Sequence, residues 1–96
     1  MKLLMIIADS SMDDKVRTIL NDEGLTGYSE IPDVLGAGAT GEKRGSRAFP
    51  GANNMYFTVA SAEQVGRLVT RLRSVSADHE PPDTIRAFTI DAIKEL

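Results

Sequence analysis

The residues best suited to chemistry lie between positions 36 and 54. That stretch reads Gly36-Ala37-Gly38-Ala39-Thr40-Gly41-Glu42-Lys43-Arg44-Gly45-Ser46-Arg47-Ala48-Phe49-Pro50-Gly51-Ala52-Asn53-Asn54 and holds five of the eight glycines. Glycine lets a backbone turn with positive φ and bring its N–H groups against an anion. Lys43, Arg44 and Arg47 add positive charge, and the arginines add forked donors that match phosphate or carboxylate. Phe49 is an apolar anchor in polar surroundings, suited to a partner's pocket or to stacking on a base. Three cations stand against Glu42 alone, so the segment carries +2 in a chain of net charge −3, leaving −5 on the rest. Such a loop draws small anions or an acidic partner surface, while the overall balance speaks against general nucleic-acid binding. The plainer alternative is a solubilising loop whose Phe49 tucks onto its own body.

Two phosphate-binding motifs fail on inspection. Gly36, Gly38 and Gly41 satisfy G-x-G-x-x-G, but a dinucleotide site also needs a helix to open there, and glycines and Pro50 follow instead. A P-loop would need Lys at position 42 and Ser or Thr at 43, where the chain has Glu42 and Lys43. Arg86 is a further candidate anion donor. His79, the single histidine, lies between Asp78 and Glu80. Neighbouring residues cannot all face one ion, so it reads as a solvated loop histidine and no metal site is expected. Without cysteine there is no disulfide, zinc ribbon or thiol catalysis. Asp13 and Asp14 read as charges at a helix N-terminus. Arg47 with Asn53 or Asn54 imitates the arginine–asparagine pair of acylphosphatases without the surrounding phosphate loop. A hydrolase of that kind is therefore a remote alternative, and the chain is not expected to be an enzyme.

The elements around this loop follow from hydrophobic pattern. Residues 3–8 are apolar without alternation, which marks a strand covered on both faces. The run stops at Asp9, too short for a membrane span, and reads as a first strand rather than a secretion signal, so a cytoplasmic location is expected. Ser10 and Ser11 are candidate N-caps for a helix with a stripe of Met12, Val16, Ile19 and Leu20, ended by Gly24. Residues 27–35 form a second strand, with Pro32 demanding an edge, a bulge or a bend. Residues 36–54 show neither strand nor helix period. Residues 54–60 form a third strand. Ser61 and Gln64 make a capping box for a second helix striped by Val65, Leu68, Val69, Leu72 and Val75. Residues 78–83 are a turn, 85–90 a fourth strand, and 91–96 a tail with room for a helical turn.

The order βαββαβ implies an α+β, ferredoxin-like fold over a single domain, residues 1–96. Two interleaved right-handed βαβ halves give a four-stranded antiparallel sheet with both helices on one face. The other face is left apolar and bare. Copies of the same chain are the simplest cover for it, and the long loop folded back over the sheet is the alternative.

This chain resembles the PII family of signalling proteins over nearly its whole length. Met12-Asp13-Asp14-Lys15-Val16-Arg17 is similar to the family's opening of the first helix. Gly36-Ala37-Gly38 stands where the family has the glycine–x–glycine start of its T-loop, and residues 55–65 resemble its third strand and second-helix start. The resemblance implies a homotrimer with three sheets around one axis. It also implies an adenine nucleotide or other small anion bound between subunits, and a T-loop that docks on a target such as a transporter or an enzyme. On this basis 36–54 is T-loop-like, and 76–84 corresponds to the B-loop before the last strand. Ile7, Ser29, Gly36 and Gly38, with Val65 nearby, would line the cleft. Gly41, Lys43, Arg44, Arg47 and Arg86 are the further ligand-binding candidates, and Arg44, Arg47 and Phe49 the partner-binding ones. The segment Ser76-Ala77-Asp78-His79-Glu80-Pro81-Pro82-Asp83-Thr84 lacks the family's glycine- and lysine-rich phosphate cradle, and Thr84 stands near the phosphate lysine's position. Gly45-Ser46-Arg47-Ala48-Phe49-Pro50-Gly51 looks like a non-standard PII-like branch. A ligand-independent protein-interaction module is the alternative function.

Overall fold

The computed structural model describes residues 1–38, 41–48, 50–78, 85–91 and 94. Strand β1 (Lys2–Asp9) leads through a 3₁₀ turn (Ser10–Met12) into helix α1 (Asp13–Asp22). Strand β2 (Tyr28–Val34) follows, then a small hairpin of β3 (Gly36–Gly38) and β4 (Gly41–Lys43). Strand β5 (Asn53–Ala60), helix α2 (Ala62–Asp78) and strand β6 (Ile85–Ile90) complete the chain. The four long strands form one antiparallel sheet in the order β2-β5-β1-β6. This is the ferredoxin-like arrangement that the βαββαβ pattern implies.

Local chemistry accounts for the element ends. The cap of the first helical segment is Asp9, which accepts from the Ser11 N–H at 2.9 Å, and not Ser10 or Ser11, the candidates the sequence offers. The shift moves the start of the α-helix to Asp13, because a 3₁₀ turn takes up Ser10–Met12. At the other end Gly24 takes φ +78°, donating to the Asn21 carbonyl at 3.0 Å while Leu25 donates to Leu20 at 2.8 Å. These are the two backbone bonds of a Schellman ending. The capping box of α2 is present in both directions, Ser61 N–H to Gln64 Oε1 and Gln64 N–H to Ser61 Oγ, each at 3.1 Å. Pro32 sits where all three of its permitted circumstances coincide. β2 is an edge strand, its register shifts between Ile31 and Val34, and Asp33 bends with φ +58°.

Strand alternation sorts side chains onto two faces. Leu4, Ile6 and Ala8 of β1 and Tyr56 and Ala60 of β5 are buried against Val16, Ile19 and Leu20 of α1 and Val65, Leu68 and Leu72 of α2. The intervening residues face away. By register Leu3 lies between Val59 and Ile90, Met5 between Phe57 and Phe88, and Ile7 between Met55 and Arg86. Ile31 of β2 extends that last row beside Met55. Phe88 and Ile90 remain 55% and 58% exposed, and Ile31 49%. One side of the sheet is a closed core; the other is an apolar surface that this chain alone leaves wet.

The structure corrects one expectation about the long loop. Residues 36–54 are not irregular throughout: Gly36 pairs with Lys43, Ala37 with Glu42 and Gly38 with Gly41. Gly41 takes φ +103°, which a side chain would strain, so glycine is what lets this tight hairpin turn back. The B-loop-like stretch beyond Asp78, with His79 and Thr84, and most of the 91–96 tail lie outside the described residues, as does Phe49.

Candidate functional site

The uncovered sheet face is not uniform along the strands. Its lower rows are hydrocarbon, Ile90–Leu3–Val59 and Phe88–Met5–Phe57 with Ser29. The next row begins with a charge, Arg86 beside Ile7. The last row is polar, Asp9 opposite Asn53 with Val34 alongside. The β3–β4 hairpin rises from this polar end. Sequence-selected residues Ile7, Ser29 and Arg86 thus share one face, and Gly36, Gly38, Gly41 and Lys43 stand at its rim. A hollow of about 330 Å³, lined by Leu3, Tyr28, Ser29, Phe57 and Val59 among others, lies at the β2 side. Val65 is elsewhere, 8% exposed within the helix-side core.

Lys43 joins the hairpin to the sheet. Its Nζ donates to Asp9 Oδ1 at 2.6 Å and to Asn53 Oδ1 at 2.9 Å, and its side chain is only 17% exposed. Burial raises the Asp9 pKa, but the hydrogen bonds from Lys43 and from the Ser11 hydroxyl and N–H outweigh it and hold the carboxyl at about 2. Past Lys43 the chain makes a second, smaller closure: the Gly45 N–H donates to the Gly51 carbonyl at 3.0 Å, and the Ser10 N–H ties down Ala52 at 3.0 Å. Arg44 and Arg47 are exposed on this excursion. Arg44 stands 3.8 Å from Glu42, and no described carboxylate pairs with Arg47. The three cations of the loop are therefore unequal: Lys43 is clamped, whereas Arg44 and Arg47 are presented.

A second polar cluster braces the β2 bulge from the helix side. The Tyr56 hydroxyl donates to Asp13 Oδ1 at 2.5 Å. Asn54, 6% exposed, donates to Asp13 at 3.3 Å and to Glu30 at 3.4 Å, and accepts from the Asp33 N–H at 3.2 Å. Burial works to raise the Asp13 pKa, yet hydrogen bonds from Tyr56, Glu30 and Asn54, with Arg17 nearby, bring it below the usual carboxylate range. Burial and the Asp13 charge push Glu30 the other way. Asp13 is thus more than a helix-terminal charge. Asn54 spends its amide N–H donors on Asp13 and Glu30, and Asn53 accepts from Lys43 through Oδ1.

The family model for nitrogen regulatory protein P-II matches residues 1–90. The chain belongs to that family. Among solved structures, CPII, a nitrogen regulatory PII-like protein from Thiomonas intermedia K12 bound to ADP, AMP and bicarbonate, superposes with a TM-score of 0.74 at 22% identity, over 92% of this chain and 86% of that one. CPII bound to ADP, AMP and acetate gives 0.69 at 22% identity, over 92% and 81%. A PII-like chain from Thermus thermophilus gives 0.67 at 24% identity, over 93% and 83%. No curated protein sequence matches the chain. Among the described residues no helix is long and apolar enough to cross a membrane.

Sequence reasoning missed Asp9 and Asn53 as partners of Lys43, and the Asp13–Tyr56–Asn54–Glu30 cluster. One signal was present: Asp9 is two residues beyond Ile7, hence on the same face of the same strand. Its partner lies 34 residues away in sequence, across a hairpin whose pairing no periodicity announced.

Proposed function

We propose that this protein is a PII-like signal transducer that assembles as a homotrimer in the cytoplasm. It binds a small anion, an adenine nucleotide or an oxyanion, between subunits, and reports that binding through the 36–54 loop. The observation that carries the reading is the placement of Arg86, Ile7 and the Gly36–Gly38 strand at the charged end of an otherwise apolar, uncovered sheet face. Burying the hydrocarbon rows of three such faces supplies the core that a 96-residue chain lacks. The same burial sets the charged ends at the seams between subunits. CPII, with ADP, AMP and bicarbonate, shows which ligands a relative of this fold takes. The missing glycine- and lysine-rich cradle in 76–84 favours mono- and diphosphates over triphosphates for this chain. Arg44 and Arg47, outward on the loop, are the donors proposed to meet a target protein, with Phe49 beside them in sequence as an apolar anchor.

Static light scattering and thermal shift with ADP, AMP, ATP and sodium bicarbonate test the proposal together. A trimeric mass and a ligand-dependent rise in Tm are expected. A ligand at a hundred times its Kd adds about 2.7 kcal/mol to stability. A single-chain mass, or a Tm indifferent to all four ligands, overturns the sensing role. Pulldown with Arg47→Ala and Phe49→Ala separates it from a constitutive interaction module, which captures its partner without any ligand.

A further inference from the structure

The Lys43 clamp has one anionic arm, Asp9, and one neutral arm, Asn53, and is built so that the anionic arm can leave at little cost. Asp9 Oδ2 is held by the Ser11 N–H at 2.9 Å and by the Ser11 hydroxyl, independently of Lys43. Only Oδ1 faces the ammonium. If Lys43 departs, the carboxylate therefore keeps two donors, so no charge is stranded without partners. Lys43 in turn has three N–H donors, of which Asp9 and Asn53 use two. The third can receive an incoming oxyanion before Asp9 lets go. The pair lies in the polar row of the open sheet face, one row beyond Arg86 and Ile7, with both side chains partly exposed, and Lys43 is paired with Gly36 in the hairpin.

We propose that Lys43 is an anion-exchange point. In the free protein the Asp9 carboxylate occupies the position of a small oxyanion, a carboxylate or a carbonate-like ion. When that anion takes its place on the Lys43 ammonium, the hairpin and the excursion carrying Arg44 and Arg47 are released from the end of the sheet. This rests on the reading above that the loop answers to a small anion, and it identifies the residue that holds the loop until the anion arrives. The exchange breaks and forms only hydrogen bonds and one ion pair. Protons cannot substitute for the anion, since Asp9 stays ionised down to a pH of about 2. Neutral ligands cannot do so either, because they offer Lys43 no compensating charge.

Limited trypsin digestion of the full chain tests this directly, because Lys43, Arg44 and Arg47 are themselves cleavage sites. Sodium bicarbonate and sodium acetate are the probes, with sodium chloride at equal ionic strength as the reference. Cleavage after Arg44 and Arg47 in the wild type is expected to speed up with either probe over chloride. Asp9→Asn keeps an oxygen for the Ser11 N–H and so preserves the cap. It should cleave about tenfold faster than wild type without any probe, the ratio for loss of one charge-assisted bond of about 1.4 kcal/mol, and should ignore both probes. Lys43→Gln, scored at Arg44 and Arg47 only, should behave the same way if Asp9→Asn fails to fold by circular dichroism. Equal cleavage of wild type and both variants, or a wild type indifferent to the probes, overturns the exchange. ADP thermal shifts on the same samples keep the two claims apart. An ADP response without probe-dependent cleavage leaves the nucleotide reading standing and sinks the exchange. Probe-dependent cleavage without an ADP response supports the exchange and sinks the nucleotide part.

Discussion

The two faces of this sheet are made by the same strands and have opposite fates. On β1, Leu4, Ile6 and Ala8 are fully buried under the helices, while Leu3, Met5 and Ile7, between them in sequence, remain part-exposed. Both sets are hydrocarbon, so composition does not distinguish them. The difference is supply. Two amphipathic helices have enough apolar surface for one face of a four-stranded sheet, and nothing else in the described chain is long or greasy enough for the second. The helix side is thus a folding core, and the open side an apolar surface with a charged end, the surface to which the proposed function assigns assembly and ligand binding.

Substitutions on the two sides should separate along that line. Leu4→Ala, on the closed side, is expected to cost about 2–5 kcal/mol, enough to unfold much of a small domain, and urea denaturation will read it. Phe88→Asp, on the open side, should leave single-chain stability within about 0.5 kcal/mol because the side chain is already half in water. Under the proposed trimer the same change should reduce the light-scattering mass to one chain, since each protomer would lose about 1.5–3 kcal/mol of aromatic burial at the interface and gain a charge there. If Phe88→Asp unfolds the monomer instead, the two faces are not separate in function.

Smaller effects sharpen the contrast where polar groups interrupt the closed side. Tyr56→Phe removes the donor to Asp13 in a buried setting and is expected to cost about 1–3 kcal/mol in a urea midpoint measurement. Asp13 titrates lower in the fold than in an unfolded chain, so its contribution is complete above the ordinary carboxylate range and drains away as pH falls through the folded value. Tyr56→Phe should therefore lose most at pH 7 and less in acid. Glu30 runs the opposite way. Its raised pKa means the fold holds its proton more tightly, a benefit present in acid and lost as pH rises through the folded value. Glu30→Gln should accordingly gain roughly 0.2–0.5 kcal/mol at pH 7, discounted for solvent screening, and little near pH 4.

Much of the fold was legible because its determinants are local. The capping box at Ser61 and Gln64, the glycine ending at Gly24 and the 3.6-residue stripes of both helices are short-range facts. The βαββαβ order, with the handedness of its crossovers, turns them into one sheet. Even Pro32 announced its edge and its bulge. The β3–β4 hairpin was not legible, because three-residue strands rich in glycine carry no hydrophobic alternation to read. The cap at Asp9 was obscured by two serines that look equally suited.

The amino-acid sequence by itself determined which residues are apolar at which period, that one helix-covered sheet results, and that a basic segment stands apart from an acidic body. Only the tertiary structure decided which cation of that segment is tied down. Lys43, Arg44 and Arg47 are alike in charge, and nothing local sets them apart. Lys43 differs because the hairpin register puts it across from Gly36, and the sheet register puts Asp9 across from Asn53. Electrostatic pairing falls off within a few ångströms, so it is settled by through-space placement, which arises only once the strands have chosen their partners.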